Sequence, residues 1–339
     1  MSITEPTIND LKRISSRTKR KLKSAGIIFL KDLMLFHPLR LVEILGITEE
    51  TANKIYEEAL ELLEEFDRKE YGFVKLSELE EVEEKKIFLN TGSSNLNNIL
   101  NGGWASMEVT ELAGEYATGK SQTCFTAVAT AFLPPEEGGL RFDENIGVAI
   151  IDTENTFSIK RMMPIFRRFD VDPKQAEDRI WIARPKNAYH QLKAIEKLVK
   201  IVKDLNVKLV VVDSLTKLPR ADFTGRGQLY ERQRIIMAMV EKLRRLAIMY
   251  NLVVLVTNQV VAVPDMRFGR KYEPIGGHVL AHNVDTRLLL SRGSKNIRKV
   301  KIIDSSWLPP SETKIIITDA GIADPKGIEE EEEEEEVSG

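Results

Sequence analysis

One glycine-rich turn constrains the fold of this chain more than any other stretch. Gly114-Glu115-Tyr116-Ala117-Thr118-Gly119-Lys120-Ser121 separates the run MEVTEL (107–112) from KSQTCFTAVATAFL (120–133), so a strand must end and a helix begin within a few residues. Glycines at the first and sixth positions let the backbone curl until successive N–H groups point inward at an anion. Lys120 then supplies a fixed cation, Ser121 a hydroxyl suited to Mg²⁺, and the following helix the positive end of its dipole. The pattern predicts a nucleotide-phosphate site.

The surrounding sequence predicts the sheet that such a turn needs. Short runs rich in β-branched residues, IGVAIID, RIWIA, VKLVVVDS and LVVLVTN, alternate with helical stretches such as QLKAIEKLVKIVKDL and ERQRIIMAMVEKLRRLAIMY. Near-continuous apolar strands alternating with helices imply a mostly parallel sheet covered on both faces. Residues 284–318 carry strand-like runs without long helices between them and predict an antiparallel extension. Two strand ends bring carboxylates toward the phosphates. Asp213 closes KLVVVD as the expected Mg²⁺-side group. Asp152 and Glu154 follow VAII, and a carboxylate there is placed to orient an attacking water.

Charge is unevenly spread in a chain whose net charge is only −3. Residues 11–31 hold eight Lys and Arg and no acid, 57–86 are strongly acidic, and 329–336 are eight consecutive Glu. The whole-chain charge therefore makes no case for nucleic acid or membrane, and its distribution is more informative than its sum. Cys124 is the only cysteine, which suits a reducing compartment. No apolar run approaches a membrane span, no signal peptide is visible, and a cytoplasmic location is expected. The four His, at 37, 190, 278 and 282, form no zinc pattern. Domain boundaries follow texture: a helical domain at 1–66, a charged linker at 67–88, an α/β core at 89–325 and an acidic disordered tail at 326–339.

Several motifs in order resemble those of the archaeal RadA recombinases, relatives of bacterial RecA and of the eukaryotic strand-exchange recombinases. They are LNTGSSNLNNILNGGWASMEVTELAGEYATGKSQ, IIDTENTF, LVVVDSLT, GRGQLYERQR, TNQV, PIGGHVLAH and ITDAGIAD, and the similarity spans essentially residues 1–325. The resemblance implies a RecA-type P-loop ATPase core preceded by a helix-hairpin-helix domain. It also implies an ATP- and Mg²⁺-dependent filament that coats single-stranded DNA and exchanges it with a homologous duplex. On this reading the nucleotide contacts run from Gly114 through Gln122, with Ser121 and Asp213 at the metal and Glu154 polarising water. Arg161 lies along the adenine, and Gln259 ends its strand beside the γ-phosphate and starts a DNA loop. Pro274 and His278 reach a neighbour's ATP. Arg226 and Arg232 grip DNA from the first loop, and Arg267, Arg270 and Lys271 from the second (about 260–275). Phe73 and Leu76 form the oligomerisation motif.

The chain also departs from the family. Leu76 stands where most members have Ala, Arg270-Lys271 where Asp-Pro is common, and Ser158 for one Arg of a pair. KLPRADF departs from the usual stretch ending HFR. RISSRTKRKL places serines where glycines close the first hairpin, while LGITEETANKI fits the second. These departures bear on polymerisation and on the ion dependence of hydrolysis, and those at 76, 158 and 270 favour a second reading, a non-catalytic mediator that binds ATP and modulates another recombinase. A third reading is a RecA-fold motor such as a hexameric helicase or clock-type ATPase, against which TNQV, PIGGH and the N-terminal helices count.

Overall fold

The computed structural model describes residues 5–142, 145–262 and 272–325 and divides into two compact units, 1–86 and 87–339. The tail from 326 onward and the stretch 263–271 lie outside the described residues.

The first unit is helical. It holds α1 (Ser16–Ser24), α2 (Pro38–Leu45), α3 (Glu49–Phe66), α4 (Arg68–Tyr71) and α5 (Leu76–Glu83). Each main helix starts where a capping side chain permits. Ser15 accepts from the amide of Thr18, His37 precedes Pro38 at the first helical position, and Thr48 accepts from the amide of Thr51. Ile8, Leu22, Leu33, Leu41, Ile55 and Leu63 form the small core. The charged segment expected as a linker carries α4 and α5. They are held by local charge pairs rather than an apolar stripe: Asp67 caps α4 through the amide of Glu70, and Glu78 accepts from the amide of Lys75 while pairing with Arg68.

The serine-bearing hairpin is closed by a distant acid. The buried Glu58 carboxylate accepts from the amides of Lys12 and Arg13, so these two N–H groups are satisfied within the unit. Several of the basic side chains are also engaged. Arg13 pairs with Glu61 and Lys31 with Glu5, while Lys21 donates to the carbonyls of Leu45 and Gly46.

The second unit opens with β1 (Phe88–Leu89), α6 (Ser94–Ile99), β2 (Trp104–Ala105), β3 (Glu108–Gly114) and α7 (Lys120–Thr130). It continues through β4 (Gly147–Asp152), α8 (Ile159–Arg168), α9 (Pro173–Glu177), β5 (Ile180–Ala183), α10 (Ala188–Asp204) and β6 (Val207–Asp213). Next come α11 (Lys217–Asp222), α12 (Leu229–Tyr250), β7 (Val253–Ala262), β8 (Tyr272–Pro274) and α13 (Gly277–Ala281). It finishes with β9 (Thr286–Arg292), β10 (Ile297–Ser305), β11 (Glu312–Thr318) and β12 (Gly321–Ala323).

The large sheet has the order β12-β11-β10-β9-β3-β7-β6-β4-β5, with β8 pairing to β7. From β9 to β5 every neighbour is parallel, and β9 to β12 run antiparallel as the extension expected over 284–318. The central strands are buried along their length because helices cover both faces. α10 packs on α12 and β4, and α12 on β3, while α7 packs on α8, β12 and the central strands. The carboxyl ends of β3, β4, β6 and β7 therefore share one edge, which is where an open α/β sheet places its ligand.

Candidate functional site

The glycine-rich loop leaves β3 at Gly114 and enters α7 at Lys120. Its two glycines are required by space as well as by dihedral angle. A Cβ on Gly114 would lie 2.5 Å from the carbonyl oxygen of Leu290, and one on Gly119 (φ 98°) 2.6 Å from Ile317. Ala117 also takes the left-handed region at φ 62°. No side chain caps α7, so its first amides stay available at the loop's concave side. Lys120 folds back across the loop and donates to the carbonyls of Gly114 at 2.8 Å and Glu115 at 2.6 Å.

A cavity of about 590 Å³ opens over this loop. Lys120, Ser121, Glu154, Asp213 and Gln259 meet in its wall. Burial pushes the Asp213 carboxyl up, opposed by hydrogen bonds from Thr257 and Ser121. Its Oδ2 is buried with no hydrogen-bond partner among the described residues. An orphaned carboxylate oxygen beside a serine hydroxyl fits a divalent cation, which would complete it. Burial lowers the Lys120 ammonium, while Asp213 and Glu154 act to raise it, so three charges are coupled across the phosphate end.

The two carboxylates expected after β4 separate in role. Asp152 is nearly buried and turns back into its own loop, accepting from the amides of Thr156 and Phe157 and pairing with Arg184. Glu154 alone lines the cavity, and its Oε2 lies 2.8 Å from Lys217 Nζ. Arg161 sits in the wall with its guanidinium spent on Gln122 Oε1 and the carbonyls of Thr318 and Asp319. Gln259 is the last residue of β7 paired to β3, opposite Gly114. It does not end its strand, however. β7 runs on to Ala262 because it pairs there with β8, Val260 opposite Pro274.

Several contributors are not evident from the motifs. Thr257 donates to Asp213 Oδ1, Arg220 donates to Gln259 Oε1 at 2.7 Å, and Arg298 contributes to the cavity wall. Thr257 directly precedes Asn258 and Gln259 in TNQV, which was its only signal. The other two lie far along the chain from the groups they serve. Of the expected DNA contacts, Arg267, Arg270 and Lys271 lie outside the described residues, as does the side chain of Arg226; so does the side chain of His278, expected at a neighbour's ATP. Arg232 is described and is the fourth residue of α12. Pro274 is buried in β8.

A family model described as Rad51 matches residues 83–325, most of the chain. The chain belongs to the Rad51 family. Three archaeal relatives, each called DNA repair and recombination protein RadA, agree with this assignment. The protein of Aeropyrum pernix is 37% identical over 94% of this chain and 97% of its own length. That of Ignicoccus hospitalis is 37% identical over 94% of this chain and 96% of its own. That of Cenarchaeum symbiosum is 36% identical over 96% of this chain and 80% of its own. In this Rad51-family chain, Lys120, Ser121, Asp213, Glu154 and Gln259 meet at the converging ends of adjacent parallel strands. Among the described residues, no group of three or more His, Cys, Asp or Glu forms a metal cluster, and no helix is long and apolar enough to cross a membrane.

Proposed function

We propose that the protein acts in DNA repair and recombination as a DNA-dependent ATPase that assembles on single-stranded DNA and exchanges it with a homologous duplex. The carrying observation is the meeting of Lys120, Ser121, Asp213, Glu154 and Gln259 around one cavity at the ends of adjacent parallel strands. Amides at the start of α7 and Lys120 would hold the triphosphate, and Glu154 would orient water. Ser121 and Asp213 would hold Mg²⁺, which supplies charge neutralisation at the phosphates. Gln259 supports a link to DNA, since it lies in the wall and on the strand that leads into the second loop. The place of action on this reading is with chromosomal DNA in the cytoplasm.

Lys120→Ala is expected to weaken ATP binding about 10- to 100-fold, because hydrogen bonds to a charged group contribute about 1.5–3 kcal/mol. Calorimetric titration giving wild-type affinity would remove Lys120 from the phosphate site.

Assembly is supported by Phe73 and Leu76, which are 98% and 85% exposed in the single chain. Two such apolar side chains in water suit an anchor for a second copy. Burying the Phe73 ring alone contributes about 1.5–3 kcal/mol per junction. A strand-exchange assay on the purified protein, with and without ATP, tests the function, and light scattering with ATP and single-stranded DNA tests the anchor. Phe73→Glu is expected to abolish polymerisation and exchange together. Leu76→Ala leaves a cavity in a pocket adapted to Leu and weakens assembly. If Leu76→Ala polymerises better than wild type, the pocket is not adapted and the mediator reading takes over.

A further inference from the structure

The short helix α11 grips both polar groups at the phosphate end of the cavity. Lys217, its first residue, is ion-paired with Glu154 at 2.8 Å, the two side chains being 40% and 25% exposed. Arg220, one turn later on the helix, donates to Gln259 Oε1. The helix is itself fixed at both ends. The Thr216 hydroxyl donates to buried Asn258 Oδ1 at 2.7 Å, and Asp222 accepts from the amide of Ala188 at the start of α10. Beyond α11 the chain runs into the short turn Arg226–Gln228 and then α12.

Charge balance gives Lys217 a purpose. Three carboxylates, Asp213, Glu154 and Glu115 in that order, act on one loop ammonium, Lys120. Yet Lys120 donates to two loop carbonyls, and among the described residues Lys217 is the only hydrogen-bond partner of the Glu154 carboxylate. A Glu154 without its own counterion would be drawn to Lys120, taking a cation from the phosphates and losing its aim at water.

We propose that Lys217 is a positioning residue for ATP hydrolysis, holding the Glu154 carboxylate at the cavity wall and keeping it off Lys120. The proposal rests on the ATPase reading given above. A half-exposed ion pair adds little to stability, so its effect falls on turnover.

Steady-state ATP hydrolysis with saturating single-stranded DNA is the test, run on wild type, Lys217→Met, Lys217→Arg, Glu154→Gln and the double variant Glu154→Gln/Lys217→Met. Lys217→Met is expected to lower kcat about tenfold, since small misplacements of a reacting group are costly. KM for ATP is expected to stay within about twofold, as befits a group that does not touch nucleotide. Lys217→Arg restores most of the loss, because it keeps the cation. The double variant is expected to be no slower than Glu154→Gln, because Lys217 acts only through Glu154. Losses that multiply in the double variant, or a Lys217→Met that turns over faster than wild type, would overturn the proposal. A wild type that hydrolyses ATP without strand exchange overturns the recombinase reading and leaves the Lys217 comparison decisive. A wild type that binds ATP without turnover overturns both.

Discussion

Glu154→Gln is expected to leave ATP and DNA bound and turnover about 10²- to 10⁴-fold slower, the usual contribution of a positioned base. The amide keeps the volume of the carboxylate but lacks the charge that draws a proton from water. The loop carrying it is held independently of residue 154. The amides of Thr153 and Glu154 donate to the carbonyl of Asp213 at 2.7 and 3.3 Å, and the Thr153 hydroxyl donates to the carbonyl of Ser214. Asp152 secures the other side through Thr156 and Phe157. The backbone at residue 154 therefore stays in place, and a lost rate is attributable to the lost charge, which acts on water and on Lys217 alike. Phosphate release under saturating ATP and single-stranded DNA measures it. A rate within about twofold of wild type would assign the water to another group.

The same loop shows what was legible in the sequence and what was not. A carboxylate after VAII is visible in one dimension, but only the family resemblance, not the local pattern, separates two candidates two residues apart. Asp152 is removed from the cavity by Arg184, 32 residues away, and by amides of its own loop. Glu154 is fixed by Lys217, 63 residues away. Fold class was legible because it depends on apolar periodicity and on glycine positions, both local. Likewise Thr48 and its two acids mark the start of α3 in sequence and structure alike. The helices α4 and α5 were hidden for the converse reason, since charge pairs such as Arg68 with Glu78 leave no apolar period to read. Buried acids were equally silent. MEVTEL suggests an apolar strand with two tolerated Glu, yet both Glu108 and Glu111 are buried in β3.

Glu111 is the more consequential of these, and Glu111→Ala is expected to destabilise the core by about 3–5 kcal/mol, the cost of leaving a buried charge unpaired. At roughly 2–4 °C per kcal/mol for a unit of this size, melting falls by roughly 6–20 °C. The side chain is fully buried and accepts from Arg287 Nε on β9 and from Asn258 Nδ2 on β7. Asn258 also donates to the carbonyl of Ile275 and accepts from Thr216. A continuous buried chain thus runs across three strands to the start of α11. Removing the acid strands Arg287, 6% exposed, without its counterion. The joint replacement Glu111→Leu with Arg287→Met is expected to cost less than either single truncation, because both charges leave together. Asn258 keeps Ile275 and Thr216 as partners in that variant, so α11 remains anchored and ATP turnover survives. Chemical denaturation of Glu111→Ala, Arg287→Met and the joint variant measures the energies. A Glu111→Ala protein that unfolds with wild type would show that Arg287 finds another partner, and the buried chain would then carry no stability.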